Sequence, residues 1–420
     1  MKFRSNDTHS SSGKGPVKMA QIFHILVNIF ILTFRLADGQ NSLDENSVDP
    51  DLLLRIDQML EKHGYPVEIH EISTKDGYLL TLFRVPHGKN DTEVNPKPIL
   101  MMHGLAGTAY NFVFTEYFNV SMAGYFADRG YDVWLGNTRG TTYGRKHIHL
   151  DPNKTKFWKF SWHEIGLYDL SSIVDYILNV TRRNNLYYVG HSQGGTIFYV
   201  LTSLRPEYQK KFAQVSLMAP GGLMGHFNNS LMLSLSKRHK MLYKMAENAN
   251  LFEIPPPWMS LSEFTYKICI GTIMQSFCEA VFFIINGRSE DIDVKLFPML
   301  LNTLTSVATM QLLHYAQNID SVKFRQWDYG TEKNIEVYGL PEPPDYPVEN
   351  IKIPVTIYYG YGDTVAFAGD QEDMCRRLRN CTKYMMPNPK WNHLDFLLSK
   401  NMEKELFEPL MEYMETFKIS

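Results

Sequence analysis

The stretch Leu186-Tyr-Tyr-Val-Gly-His-Ser192-Gln-Gly-Gly-Thr-Ile-Phe-Tyr-Val200 sets one serine among Gly190, Gly194 and Gly195. A short apolar and aromatic run precedes it, and a longer apolar run of helical length follows. Gly190-His-Ser192-Gln-Gly194 matches G-x-S-x-G, a pattern that a chain of this composition contains by chance roughly 0.1 times. Read as strand, sharp turn and helix, the stretch presents a serine hydroxyl on a strained elbow. Strand and helix then approach so closely that the flanking positions have to be small. An ordinary glycine-rich turn is the plainer alternative, and the remainder of the chain separates the two.

A serine hydroxyl is a weak nucleophile until a base removes its proton. Where an elbow of this kind carries a nucleophile, the acid and the histidine follow it in chain order. Val355–Tyr359 reads as a late strand, and Gly360-Tyr-Gly-Asp363 comes directly after it, so Asp363 is the candidate acid. His393 is the sole histidine after Asp363 and is the candidate base. Asp370 and Asp373 compete for the acid role but fall on a predicted helix, and Asp395 reads as a supporting group. In this arrangement His393 takes the proton of Ser192 and returns it to a leaving alcohol, while Asp363 fixes the imidazole tautomer and stabilises the imidazolium. Two backbone N–H groups have to meet the developing oxyanion. Gln193, next to the serine, is one candidate; Leu105, in the loop His103-Gly-Leu-Ala-Gly107 after the strand Ile99–Met102, is the other. His103 and His191 sit beside glycine turns ahead of the acid and read as packed structural histidines.

The wider pattern supplies the setting. Pro50–His63 reads as a helix, and Val67–Ser73 and Tyr78–Val85 as strands joined by a hairpin turn at Lys75-Asp-Gly77. Short apolar strands then follow at Ile99–Met102, Tyr131–Leu135, Leu186–Val189, Val215–Met218 and Val355–Tyr359, with helices at Leu167–Asn179 and Thr196–Leu204 between them. Short apolar runs alternating with helices argue for an α/β architecture with a mostly parallel sheet. The Met-, Leu- and Phe-rich segment of about 221–323 breaks that rhythm and reads as a helical cap inserted over the strand ends.

Composition and targeting signals bound the rest. With 42 basic against 45 acidic residues the net charge is −3, and no basic block marks a nucleic-acid footprint. Lys2, Arg4, Lys14 and Lys18 precede an apolar run from Ala20 to Phe34, and Ala37-Asp-Gly39 offers a small-residue cleavage site, so residues 1–39 read as a signal peptide with a long basic region. As a helix that run reaches about 22 Å, short of the roughly 30 Å hydrocarbon core, so no transmembrane span is expected in the mature chain 40–420. An uncleaved N-terminal anchor is the alternative. Sequons at Asn90, Asn119, Asn153, Asn179, Asn228 and Asn380 fit a secretory route. Four cysteines allow two disulfides in an oxidising compartment. Cys269–Cys278 is the favoured pair. Cys375 and Cys381 suit a bridge poorly if 371–380 is helical, because six residues of helix rise about 9 Å. The cysteine spacing lacks a zinc pattern, and neither metal nor cofactor is expected.

His63-Gly-Tyr-Pro, Thr74-Lys-Asp-Gly-Tyr-Leu-Leu, His103-Gly-Leu, Val133-Trp-Leu-Gly-Asn-Thr-Arg-Gly, Phe160-Ser-Trp-His-Glu-Ile-Gly-Leu-Tyr-Asp-Leu, Gly190-His-Ser-Gln-Gly and Asn392-His-Leu-Asp-Phe occur in this order. Through these stretches the chain, from about Val48 onward, resembles the acid lipase family of gastric and lysosomal lipases and their invertebrate relatives. The resemblance implies an α/β-hydrolase core with a helical cap and lid, acting on esters of long-chain fatty acids, triacylglycerols or steryl esters. It implies Ser192, Asp363 and His393 as triad, Leu105 and Gln193 as oxyanion donors, and Cys269–Cys278 as the family's cap disulfide. The implied partner is neutral lipid at an oil–water or membrane interface, met outside the cell or in the lysosomal lumen. Leu301-Asn-Thr-Leu-Thr-Ser-Val departs from the family pattern in lacking Pro and Gly, and Asn286 stands where some relatives carry a cysteine. A non-catalytic lipid-binding relative and an esterase for small soluble esters are the competing readings.

Overall fold

The structure, a computed structural model, describes residues 54–90, 96–114, 121–256, 269, 275–292 and 296–419. The expected signal segment 1–39 and the sequon at Asn119 lie outside the described residues. After α1 (Ile56–Lys62), the expected hairpin forms from β1 (Glu68–Ser73) and β2 (Tyr78–Val85), paired antiparallel. Gly77 turns it at φ 97°, a conformation that a side chain would strain. Then come β3 (Lys97–Met102), α2 (Met122–Ala127), β4 (Tyr131–Gly136), the short β5 (Lys146–His147), α3 (Ser171–Thr181), β6 (Leu186–His191), α4 (Gln193–Leu204) and β7 (Phe212–Met218).

An insertion follows β7: α5 (Ser230–Ser236), α6 (His239–Asn248), β8 (Glu253–Ile254), α7 (Gln275–Asn286), α8 (Phe297–Asn302), β9 (Val307–Ala308), α9 (Thr309–Ser321) and α10 (Thr331–Tyr338). β8 and β9 form their own antiparallel pair. Helical structure therefore runs on past the anticipated end at about residue 323. The chain rejoins the main sheet at β10 (Val355–Tyr359) and continues through α11 (Ala368–Arg377), β11 (Cys381–Met385) and α12 (Glu408–Glu415).

The main sheet runs β1-β2-β4-β3-β6-β7-β10-β11, with β5 on β2. From β4 to β11 all neighbours are parallel. The parallel part is covered on both faces. Ile99, Met101, Val133 and Leu135 enter one apolar cluster, while Leu100, Met102 and Trp134 enter the other. Strands buried on both sides read as continuous apolar runs, which is why β3, β4, β6, β7 and β10 are evident in the sequence. β11 is not evident. It lies at the edge, with Thr382, Lys383 and Met385 exposed, and so carries no apolar signature.

The cysteines depart from expectation at one point. Cys269 and Cys278 are bridged, with Cα atoms 5.7 Å apart. Cys375 and Cys381 are bridged too, at 5.4 Å. The helix carrying Cys375 ends at Arg377, and Leu378 is extended (ψ 139°), so the chain folds back to bring Cys381 within reach. The premise of a helix to residue 380 is what fails.

A buried ion network locks three of the motif stretches together. Arg139 donates to Asp169 from its backbone N–H (2.9 Å), Nε (2.8 Å) and Nη2 (2.6 Å). It also donates to both carboxylate oxygens of Asp76, at 2.6 and 2.8 Å. The Arg139 side chain is 1% exposed and that of Asp169 is fully buried. Burial opposes the charge on the guanidinium, but the two carboxylates outweigh it and raise its pKa above the ordinary value.

Candidate active site

The elbow forms where β6 meets α4. Ser192 sits at φ 53°, ψ −115°, a conformation that costs a non-glycine residue about 1–3 kcal/mol. The surroundings hold it there. Ser192 N–H donates to Met218 O (2.9 Å), extending the β6–β7 ladder by one residue, and Ser192 O accepts from Gly195 N–H (2.9 Å), starting α4. A Cβ on Gly194 would run into the Met102 carbonyl, and one on Gly195 into Pro220. On Gly190 it would lie 2.8 Å from the Gly194 backbone. Small residues at these positions are a steric requirement of this turn.

Asp363 follows β10 by a short turn in which Gly360 and Gly362 press against the backbone of Lys390 and Trp391. A side chain at either glycine would push the Asp363 and His393 loops apart. Asp363 Oδ1 accepts the N–H groups of Val365 (2.7 Å) and Ala366 (2.8 Å). Its Oδ2 lies 2.8 Å from His393 Nδ1, and His393 Nε2 lies 2.9 Å from Ser192 Oγ. A carboxylate only accepts, so the proton resides on Nδ1 and the Nε2 lone pair faces the serine hydroxyl. Asp363 is 2% exposed, His393 is buried, and Ser192 is half-buried. Residues far apart in sequence thus form one hydrogen-bonded chain, suited to moving a proton off Ser192.

The His393 loop is held from several directions. His191 Nε2–H donates to His393 O at 3.0 Å. Asp395 accepts Asn392 N–H on Oδ2 (2.6 Å) and the Ser289 hydroxyl on Oδ1 (2.5 Å). Asn392 Nδ2 donates to Gly287 O at 2.7 Å. Burial raises the Asp395 pKa to about 6 against these hydrogen bonds. Burial pushes His191 down to about 3 and His103 to about 4, so both are neutral. His103 Nδ1–H donates to Gly104 O (2.8 Å), and its Nε2 accepts Thr138 N–H (3.3 Å). Both are packed, hydrogen-bonded histidines, as expected.

Leu105 lies in the turn beside Ser192: a Cβ on the preceding Gly104 would stand 3.0 Å from Ser192 Cβ. Gln193 opens α4, where a backbone N–H has no intrahelical acceptor. Asp370 binds instead the backbone N–H groups of Gly225 (2.8 Å) and His226 (3.1 Å). Sequence reasoning did not anticipate that Ser289 and Gly287 of the insertion support the His393 loop. Contacts across a hundred residues leave no local pattern. The sequon asparagines Asn90, Asn153, Asn179, Asn228 and Asn380 are all exposed. Among the described residues no helix is long and apolar enough to cross a membrane.

Comparisons with known proteins agree with this architecture. Residues 56–116 match the family described as partial alpha/beta-hydrolase lipase region, and residues 97–244 match alpha/beta hydrolase fold. Lipase 1 of Drosophila melanogaster is 33% identical over 390 residues, covering 89% of this chain and 83% of that protein. Gastric triacylglycerol lipase of Bos taurus is 31% identical over 376 residues, covering 87% of this chain and 92% of that protein. A solved structure from Sulfolobus solfataricus superposes with a TM-score of 0.54 at 14% identity, covering 83% of this chain and 94% of that one, which speaks to the fold alone. Identity of this extent, over nearly the whole of both lipases, makes this chain an ester hydrolase that belongs to the acid lipase family of the α/β-hydrolase fold.

Proposed function

We propose that this chain is a secreted or lysosomal lipase that hydrolyses esters of long-chain fatty acids, triacylglycerols or steryl esters, through an acyl-enzyme on Ser192. The observation that carries the reading is the hydrogen-bonded chain Ser192 Oγ–His393 Nε2, His393 Nδ1–Asp363 Oδ2 at 2.9 and 2.8 Å. His393 accepts the hydroxyl proton as Ser192 Oγ bonds to the ester carbonyl carbon. The resulting oxyanion is met by the backbone N–H groups of Gln193 and Leu105. The imidazolium, stabilised by Asp363, gives its proton to the departing alcohol as the C–O bond breaks. Water, deprotonated by His393, then attacks the acyl-serine, releasing fatty acid and restoring Ser192.

The insertion supports a lipid substrate. Met232 and Leu235 on α5, and Met241 and Met245 on α6, are 40–48% exposed. Four large, partly exposed apolar side chains on two successive helices suit adhesion to a lipid surface. Two bridged cysteine pairs and five exposed sequon asparagines support an oxidising, secretory route.

The test is hydrolysis of emulsified triolein, cholesteryl oleate and a soluble short-chain ester by the purified chain at about pH 5 and pH 7. Strong long-chain activity, abolished in a folded Ser192→Ala variant, is the expected result. Turnover of the short ester alone would refute the lipase reading, and activity surviving in Ser192→Ala would refute the nucleophile.

A further inference from the structure

The insertion is bonded to both backbone elements proposed to bind the oxyanion. Gln311, in the first turn of α9, donates from Nε2 to Gln193 Oε1 at 3.2 Å, and both side chains are buried. Gln311 Oε1 accepts Ala308 N–H at 2.8 Å, so the amide is fixed at both ends. Nearby, Thr305 N–H donates to Ala106 O at 3.0 Å, and Thr305 Oγ1 accepts Thr142 N–H at 2.9 Å. Ala106 directly follows Leu105 and stands at φ 58°, where a residue with a side chain needs outside restraint. The 305–311 segment is itself anchored. Thr309 N–H donates to Phe252 O at 2.9 Å, its hydroxyl to Leu251 O at 2.8 Å, and β9 pairs with β8. Further along α9, His314 stacks on Trp162 with ring centroids 3.7 Å apart.

We propose that Gln311 is a positioning residue for ester hydrolysis: through the Gln193 side chain it holds the Gln193 backbone N–H on the developing oxyanion, while Thr305 braces the Leu105 turn through the Ala106 carbonyl. The proposal rests on the reading of Ser192 as nucleophile. Oxyanion donors act because they are aimed before charge develops, and a misplacement of about 1 Å costs on the order of a hundredfold. The peptide plane between Ser192 and Gln193 belongs to a strained turn. Tethering the Gln193 side chain limits rotation about its Cα and so limits the swing of that N–H. The insertion is then part of the catalytic apparatus as well as a cover for it.

The test is a double-mutant cycle on the full chain with a soluble short-chain ester, using Gln311→Ala, Gln193→Ala and the pair. Gln193→Ala keeps its backbone N–H, so both single variants remove the same tether. Active sites are counted by titration with an organophosphonate. Each single variant is expected to lower kcat per titrated site by about tenfold or more with KM little changed, and the double variant to be no slower than the poorer single. Three results would overturn the proposal: kcat per titrated site unchanged in Gln311→Ala, losses that multiply in the double variant, or a loss confined to the fraction of titratable enzyme. A wild-type chain without Ser192-dependent hydrolysis would instead sink the functional reading beneath it.

Discussion

Lowering the pH from 7 to 5 is expected to destabilise the folded chain by several kcal/mol, because buried histidines cannot take up protons that the unfolded chain accepts. Burial pushes His103 to about 4 and His191 and His314 to about 3. In the unfolded chain each returns to about 6.5. Their folded pKa is depressed, so the stability they confer is present above about 6.5 and is lost as pH falls toward 4 and 3. At pH 5 the unfolded chain holds about three more protons on these residues, a slope near 4 kcal/mol per pH unit. Asp395 works the other way. Its folded pKa is raised to about 6 by burial, so it adds stability as pH falls through 6, at about 1.4 kcal/mol per unit. Among these four groups the three histidines outweigh the carboxylate by about two protons; burial also lowers His163 and His239, on the same side, and raises Asp132, Asp169 and Asp370, on the opposing side. His314 resists protonation because it is fully buried, with its ring against Trp162, and that burial outweighs the hydrogen bond its Nε2–H donates to Arg325 O (3.0 Å). Urea unfolding at pH 7, 6 and 5 measures the slope. His314→Gln should reduce it by about one proton. Stability that is flat, or that rises toward pH 5 in both proteins, would refute the reasoning.

Other perturbations read the site more directly. Asp363→Asn keeps the shape but loses the acceptor that sets the His393 tautomer, so kcat should fall by about 10⁴ with the urea midpoint little moved; a loss under tenfold would exclude Asp363 as the orienting acid. Gly194→Ala drives a methyl into the Met102 carbonyl, and should cost about 1–3 kcal/mol of stability and most of the activity, whereas wild-type behaviour would mean the elbow is looser than it stands. Paired Met241→Ser and Met245→Ser changes should reduce turnover of emulsified triolein severalfold while sparing a soluble ester. Equal losses on both substrates would mean these side chains serve something other than interfacial adhesion.

What was legible locally is what local physics requires. Strands β3, β4, β6, β7 and β10 are buried on both faces, so each had to be mainly apolar, with Asp132, Gln214, Ser216 and Thr356 as buried polar exceptions. Gly190, Gly194 and Gly195 are demanded by steric contact at a single turn, so the elbow was visible as a pattern. Asp363 and His393 were found from chain order and from the position of one strand, and the fold brings both to Ser192. The polar edge strand β11 escaped notice because no buried face shapes its composition. The fate of Cys375 and Cys381 depended on where α11 stops, a boundary that propensity alone does not set. Nothing near Gln311, Thr305 or Ser289 marks it as a partner of the elbow, the Leu105 turn or the His393 loop. Those contacts exist because an insertion of more than a hundred residues packs back onto the strand ends, and only packing in three dimensions chooses which of its polar groups meet the site.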